Sequence, residues 1–275
     1  MTQIARSPIT LCGSLSHHPA PLGAAMHNAG YKALGLDFTY VPFGVTDLEG
    51  AIRGMRALCI RGFGVSMPFK VDVMQHLDAV DPLAQRIGAV NTVVNDGGRL
   101  TGYNADAAGA AAALTEVTEI SGKRVLLIGA GGAARAVGHA LRDHGAHLHV
   151  INRNRAAAES LAATLSATAG DLQDVKRLPE FDILVHCTAV GMADAPGMIV
   201  PETALRSGLV VMDIVYKPVH TALIAAAQRC GARTVHGGRM LLHQAFRQFE
   251  LYTGHPAPRA AMAAALQARI GDPKP

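Results

Sequence analysis

Two rhythms alternate along this chain. Short, nearly continuous apolar runs are followed by stretches in which apolar residues return every three or four positions, the pattern of buried strands alternating with amphipathic helices. In the first part the runs predict strands at 9–15, 38–44 and 63–67. They also predict a helix over 23–35 stopped by Gly35, and a helix over 47–62 with Asp47 as its N-cap and Gly62 as its end. A helix candidate follows at 71–77, then a hairpin over 88–104 turning at Asp96-Gly97-Gly98, then a helix over 106–116. The character changes at Ser121-Gly122. Strands are predicted within 123–128, 146–155, 181–192, 209–218 and 233–238, with helices over 156–166 and 221–231 between them. Two helices close the chain, over 239–254 and within 256–271. Repeated strand–helix units with apolar strands predict a parallel, doubly wound sheet.

The segment "GAGGAA", Gly129 to Ala134, follows the apolar strand "VLLI" and opens a helix. The motif is weak alone, but a strand before it and a helix after it are the context of a dinucleotide-binding loop. Gly129 permits a tight turn, and Gly131 lets the backbone approach a pyrophosphate; free N–H groups and the helix dipole then hold the negative charge. The plain alternative is a turn that packs helix on sheet. At the end of the next strand an NAD enzyme usually carries an acid for the ribose 2′-hydroxyl. Here stand Asn152, Arg153, Asn154 and Arg155, with two guanidiniums and no carboxylate. That favours the 2′-phosphate of NADP over a solvated basic turn.

Composition narrows the class. A chain of 275 residues, 49% apolar and 17% charged, is long enough for two folded domains. A net charge of +4 without a basic block implies neither nucleic acid nor an anionic membrane, and suits a small anionic ligand. Cys12, Cys59, Cys187 and Cys230 show no metal or redox spacing and are expected as reduced thiols. No leader and no apolar span stand out, so a soluble cytoplasmic protein is expected, monomer or homodimer. The histidines of "HGAHLHV" lack the partners of a metal site.

Polar groups gather near predicted strand ends of the first part: Ser66 and Lys70 in "VSMPFK", Asn91 in "GAVNT", Asp106 in "GYNAD". Removing hydride from a secondary alcohol also requires removing its proton. A partly desolvated lysine can take that proton, and a carboxylate beside it holds the lysine in place. On residue types alone, plain loop contacts explain these groups better than catalysis does.

The ordered set "GVSMPFK", "GAVNT", "GYNADA", the glycine loop, "NRNRAA", "HCTAVGM", "DIVY" and "GGRMLLHQ" resembles the shikimate dehydrogenase superfamily along nearly the whole chain. The resemblance implies two α/β domains with a cleft between them. A substrate-binding catalytic domain over 1–105 is completed by the C-terminal helices of 239–275, and a Rossmann-type NADP domain spans 106–238. It implies Lys70 as catalytic lysine with Asp106 as its partner, and Ser66, Asn91, Tyr216 and Gln244 as substrate contacts. Gly129, Ala130, Gly131, Gly132 and Ala133 would hold the pyrophosphate, and Asn152, Arg153 and Arg155 the 2′-phosphate. Thr188, Ile214 and Gly237 would lie near the nicotinamide half. The implied reaction is NADP-dependent interconversion of a cyclic hydroxy acid and its ketone.

The resemblance also breaks. The family pattern S-x-S-P-x-x-H-N, whose serines bind the substrate carboxylate, has no counterpart: anchored on His27-Asn28, the serine positions hold Pro21 and Gly23. Anchored instead on His17 and Pro21, they hold His18 and Ala20. "SLS" at 14–16 lies too far before His27. Gly64 replaces an asparagine, and Tyr103 precedes Asn104. These departures resemble the shikimate dehydrogenase-like subgroup, whose members lack the serine pair. His17-His18 is a candidate anion-binding pair in their stead. The expected substrate is a small hydroxy acid, shikimate used weakly. Quinate or another polyol acid, and a nucleotide sensor without turnover, stand as alternatives.

Overall fold

The computed structural model describes residues 9–271. Two compact units emerge. One takes the chain up to Ala105 and again from Ala245; the other is Asp106–Gln244.

The first unit holds β1 (Thr10–Ser16), α1 (Pro21–Leu34), β2 (Phe38–Gly44), α2 (Leu48–Ala57), β3 (Gly62–Val65), β4 (Ala79–Val80), α3 (Pro82–Ile87), β5 (Thr92–Asp96) and β6 (Arg99–Tyr103). Its sheet has the order β2-β1-β3-β5-β6-β4, parallel where β1 meets β2 and β3, antiparallel where β5 meets β3 and β6. The β5–β6 hairpin turns on Gly97 and Gly98, both at positive φ, as a two-residue turn demands.

The helix expected over 47–62 is shorter. Asp47 does cap it, accepting from the Gly50 N–H at 2.8 Å, but the helix ends at Ala57 and the chain reverses through Cys59 at φ 52°. Gly62 therefore begins β3 rather than ending α2. A side chain there would drive into the Tyr252 ring, 2.2 Å from an added Cβ. One face of this sheet packs Leu15, Phe63, Val65, Val93 and Leu100 on Ile52 and Met55 of α2. The alternate positions, Cys12 on β1 and Tyr40 on β2, lie among His27 and Tyr31 of α1 and Tyr252 near the end of the helix Gly237–Thr253.

The second unit holds most of α4 (Ala105–Thr115), then β7 (Arg124–Ile128), α5 (Gly132–Asp143), β8 (His147–Ile151), α6 (Arg155–Leu165), β9 (Thr168–Gly170), β10 (Ile183–His186), β11 (Val210–Asp213), α7 (Ala222–Arg229) and β12 (Arg233–His236). Every strand pair is parallel, in the order β12-β11-β10-β7-β8-β9. The order reverses at β7, so the switch point lies between β7 and β10, where such sheets bind ligands at their carboxyl ends. The unit boundary falls inside α8 (Gly237–Thr253), a few residues beyond the expected domain edge at 239, and α9 (Arg259–Ile270) follows. No helix among the described residues is long and apolar enough to cross a membrane.

Candidate active site

In the first unit, backbone hydrogen bonds gather the predicted residues at the strand ends. Ser66 N–H donates to Leu15 O at 2.9 Å, and Val65 N–H to Asn91 O at 2.7 Å. After the apolar anchor Phe69, Val90 N–H donates to Lys70 O at 2.8 Å, fixing the Lys70 backbone one residue from Asn91. Ser66, Lys70 and Asn91 thus gather at one end of the adjacent inner strands β3 and β5.

Asn91 is buried and tightly defined. Its Oδ1 accepts from Thr92 Oγ1 and from the Ala105 N–H, both at 2.7 Å. With Oδ1 occupied twice, the amide flip is set and Nδ2 is the group left to donate. Behind it stands Gln248 on α8, whose Nε2 donates to Asn91 O at 3.2 Å and to Thr92 Oγ1 at 3.0 Å. The sequence offered only a weak signal for Gln248: it lies one helical turn after Gln244. A side chain at Gly64 would meet the Tyr40 hydroxyl at 2.8 Å and the Gln248 amide at 3.3 Å. Tyr40 and Gln248 thus fill the space beside Gly64.

The first turn of α1 is Pro21, Leu22 and Gly23, with Ala20 at the N-cap and no side-chain cap. No hydroxyl is present there. Ser14 and Ser16 end β1, and His17 and His18 are exposed, with His17 set edge-on against Phe69 at 4.9 Å.

Asp106, Tyr216 and Gln244 belong to the second unit. Asp106 occupies the first turn of α4, three residues before Gly109. At Gly109 the two helices touch: an added Cβ would lie 2.8 Å from Met240 O and 2.9 Å from the Gln244 Cβ. The spacing sets Asp106 and Gly109 on the same face of α4. Tyr216 is 37% exposed, and Gln244 bonds within its own helix to Leu241 O.

The glycine loop joins β7 to α5. Gly129 has φ 117°, and its Cα faces the Cys187 carbonyl, so any side chain would both strain the backbone and clash. Gly131 caps α5 without a side-chain bond, and nothing lies within 4 Å of a Cβ built on Gly131 or Gly132. An uncapped helix N-terminus beside open space fits a pyrophosphate. At the end of β8, Asn152 donates to Asn154 O, and Asn154 caps α6 through the Ala157 N–H. Arg155 pairs with Glu159 at 2.9 Å, while Arg153 is exposed and meets no carboxylate among the described residues. Across the switch point, Gly237 packs on the Ile214 carbonyl, 2.1 Å from an added Cβ. Thr188 follows β10, its γ-methyl 3.3 Å from a Cβ built on Gly129.

A doubly wound sheet with this loop at its switch point defines a dinucleotide-binding protein, and the lack of an acid after the neighbouring strand favours a 2′-phosphate. Family profiles agree in chain order: the shikimate dehydrogenase substrate binding domain over residues 16–93, shikimate / quinate 5-dehydrogenase over 111–214, and the shikimate 5′-dehydrogenase C-terminal domain over 237–267. The shikimate dehydrogenase (NADP(+)) of Halobacterium salinarum is 44% identical over 253 residues, covering 90% of this chain and 95% of its own. Among solved structures, the shikimate 5-dehydrogenase-like protein HI0607 is 36% identical with a TM-score of 0.86, covering 97% of this chain and 99% of its own. The 5-ketofructose reductase of Gluconobacter sp. strain CHM43 is 35% identical with a TM-score of 0.86, over 96% and 99%. The chain belongs to the shikimate dehydrogenase family, and it is an NADP-dependent oxidoreductase of that type.

Proposed function

We propose that the chain interconverts a secondary alcohol and ketone on a small cyclic polyhydroxy acid, with Lys70 moving the hydroxyl proton. Bound NADP supplies the hydride acceptor or donor. Lys70 Nζ takes the substrate hydroxyl proton as hydride leaves and returns it in reduction, and Asp106 holds the ammonium in register. Asn91 Nδ2 donates to a ring hydroxyl, with Ser66, Tyr216 and Gln244 as further contacts. Asn152, Arg153 and Arg155 form the 2′-phosphate turn, Arg153 being the arginine without a competing carboxylate. The observation that carries this reading is the bond from Val90 N–H to Lys70 O, which holds the lysine beside an asparagine whose donor end is left for substrate.

The reading includes the subgroup without the serine pair. Two hydroxyl donors to a carboxylate are missing at the start of α1, each worth about 1.5–3 kcal/mol if nothing replaces it. Shikimate would then bind weakly. A neutral polyol or ketose is the second reading, favoured by the absent hydroxyls and the likeness to a 5-ketofructose reductase. The test is kcat/KM for NADP+ reduction with shikimate, quinate and a carboxylate-free cyclic polyol. An acid turned over with an elevated KM supports the first reading. Preference for the neutral compound moves the assignment to the second, and no turnover on any of them defeats both.

A further inference from the structure

The ends of β10 and β11 carry a hydrogen-bonded pair, His186 and Asp213, that the dehydrogenase reading does not use. His186 and Asp213 are register partners on these parallel strands, both fully buried. His186 Nδ1 lies 2.9 Å from Asp213 Oδ1, and His186 Nε2 lies 2.6 Å from Thr188 Oγ1. Asp213 is saturated from other sides as well: Val215 N–H donates to Oδ1 at 3.1 Å and Thr221 Oγ1 to Oδ2 at 2.7 Å. Thr188 Oγ1 accepts from the Val190 N–H at 3.2 Å.

The donor directions follow from these partners. Asp213 accepts from Val215 N–H and Thr221 Oγ1, so Nδ1 of His186 is the donor of the pair and, in that tautomer, Nε2 is the acceptor. The bare nitrogen takes the Thr188 hydroxyl proton. Thr188 Oγ1 is thereby committed outward as an acceptor, with one lone-pair direction left after Val190. An amide in place of His186 could instead donate to Thr188 and leave its hydroxyl proton disposable. The histidine thus fixes a polarity that an amide would not.

Thr188 is partly exposed and lies against Gly129, on the side of the glycine loop away from the Asn152–Arg155 turn. A dinucleotide laid across the switch point with its adenosine at β8 puts its other half beside β10. We infer that His186 is a positioning residue that holds Thr188 as an acceptor for a donor on the nicotinamide-ribose half of NADP, either a ribose hydroxyl or the carboxamide N–H. The inference rests on the nucleotide assignment alone and is independent of Lys70.

Binding, rather than turnover, tests it. The chain has no tryptophan, so NADPH fluorescence reads affinity without interference. Calorimetry supplies the affinity of adenosine 2′,5′-bisphosphate, which lacks the nicotinamide half. Thr188→Val, nearly isosteric, is expected to weaken NADPH about five- to tenfold and leave the bisphosphate unchanged, with Thr188→Ser restoring affinity. His186→Leu is expected to give the same pattern, Asp213 keeping its two other donors, and the double variant should be no worse than Thr188→Val alone. With oxidised nucleotides, the 3-acetylpyridine analogue of NADP+ separates the donors: a Thr188→Val effect that persists assigns the ribose hydroxyl, and one that vanishes assigns the carboxamide. Equal losses for NADPH and the bisphosphate, or NADPH affinity unchanged in Thr188→Val, would overturn the inference.

Discussion

Arg153 and Arg155 stand two positions apart and meet different surroundings. Arg155 opens α6 and bonds Glu159 one turn later, an exposed pair that contributes little to stability. Arg153 has no carboxylate beside it among the described residues, so its guanidinium is the better placed to meet a phosphate dianion. Arg153→Ala is expected to raise KM for NADP+ about tenfold to a hundredfold while leaving KM for NAD+ nearly unchanged, and Arg155→Ala to do much less. Steady-state kinetics with both nucleotides checks this, and equal effects of the two substitutions would remove the distinction. The sequence named both arginines because composition shows charge but not its neighbours. Gln248 and His186 went unread for a related reason. Gln248 meets Asn91 across 157 positions and His186 meets Asp213 across 27, contacts made only by helix docking and strand register.

At the scale of elements, local chemistry was the legible part. Gly35 ends α1 in the left-handed conformation, Gly97-Gly98 turns the hairpin, and the glycine loop joins β7 to α5, each a demand that one or two residues satisfy by themselves. α3 carried the same signals, with Asp81 accepting from Leu83 and Ala84, Pro82 in the first turn and Gly88 at the end. It is six residues long, too short to show a helical period in the sequence. The early end of α2 was illegible because its apolar rhythm continues into Leu58, which the fold leaves 73% exposed. The contact of α4 with α8 depends on one missing side chain. Gly109→Ala puts a methyl against the backbone of Met240 and Gln244 and is expected to cost about 1–3 kcal/mol, displacing Gln244 as well. A lowered Tm together with a raised substrate KM is the expected result; an unchanged Tm would mean that the helices separate without penalty.

For the molecule as a whole, acid sensitivity has an identifiable source in the first unit. His27 is fully buried, stacked on Tyr40 at 4.4 Å and 4°, and burial pushes its pKa down to about 3 from 6.5. The unfolded chain binds a proton that the fold refuses. His27 therefore contributes stability in full above about pH 6.5, and this is lost as pH falls toward 3, with a limiting slope of about 1.4 kcal/mol per pH unit. His27→Phe should flatten that part of the urea-stability profile, whereas an identical slope in the variant would assign the acid loss to other groups. Catalysis is proposed to rest on Lys70, at the strand ends of the first sheet. The most direct test is the initial rate of NADP+ reduction by wild-type protein and by Lys70→Ala, on the best substrate of the panel, with NADPH affinity measured beside it. The account predicts a fall in kcat of about 10²- to 10⁴-fold with NADPH affinity unchanged. A variant that turns over at the wild-type rate would contradict it.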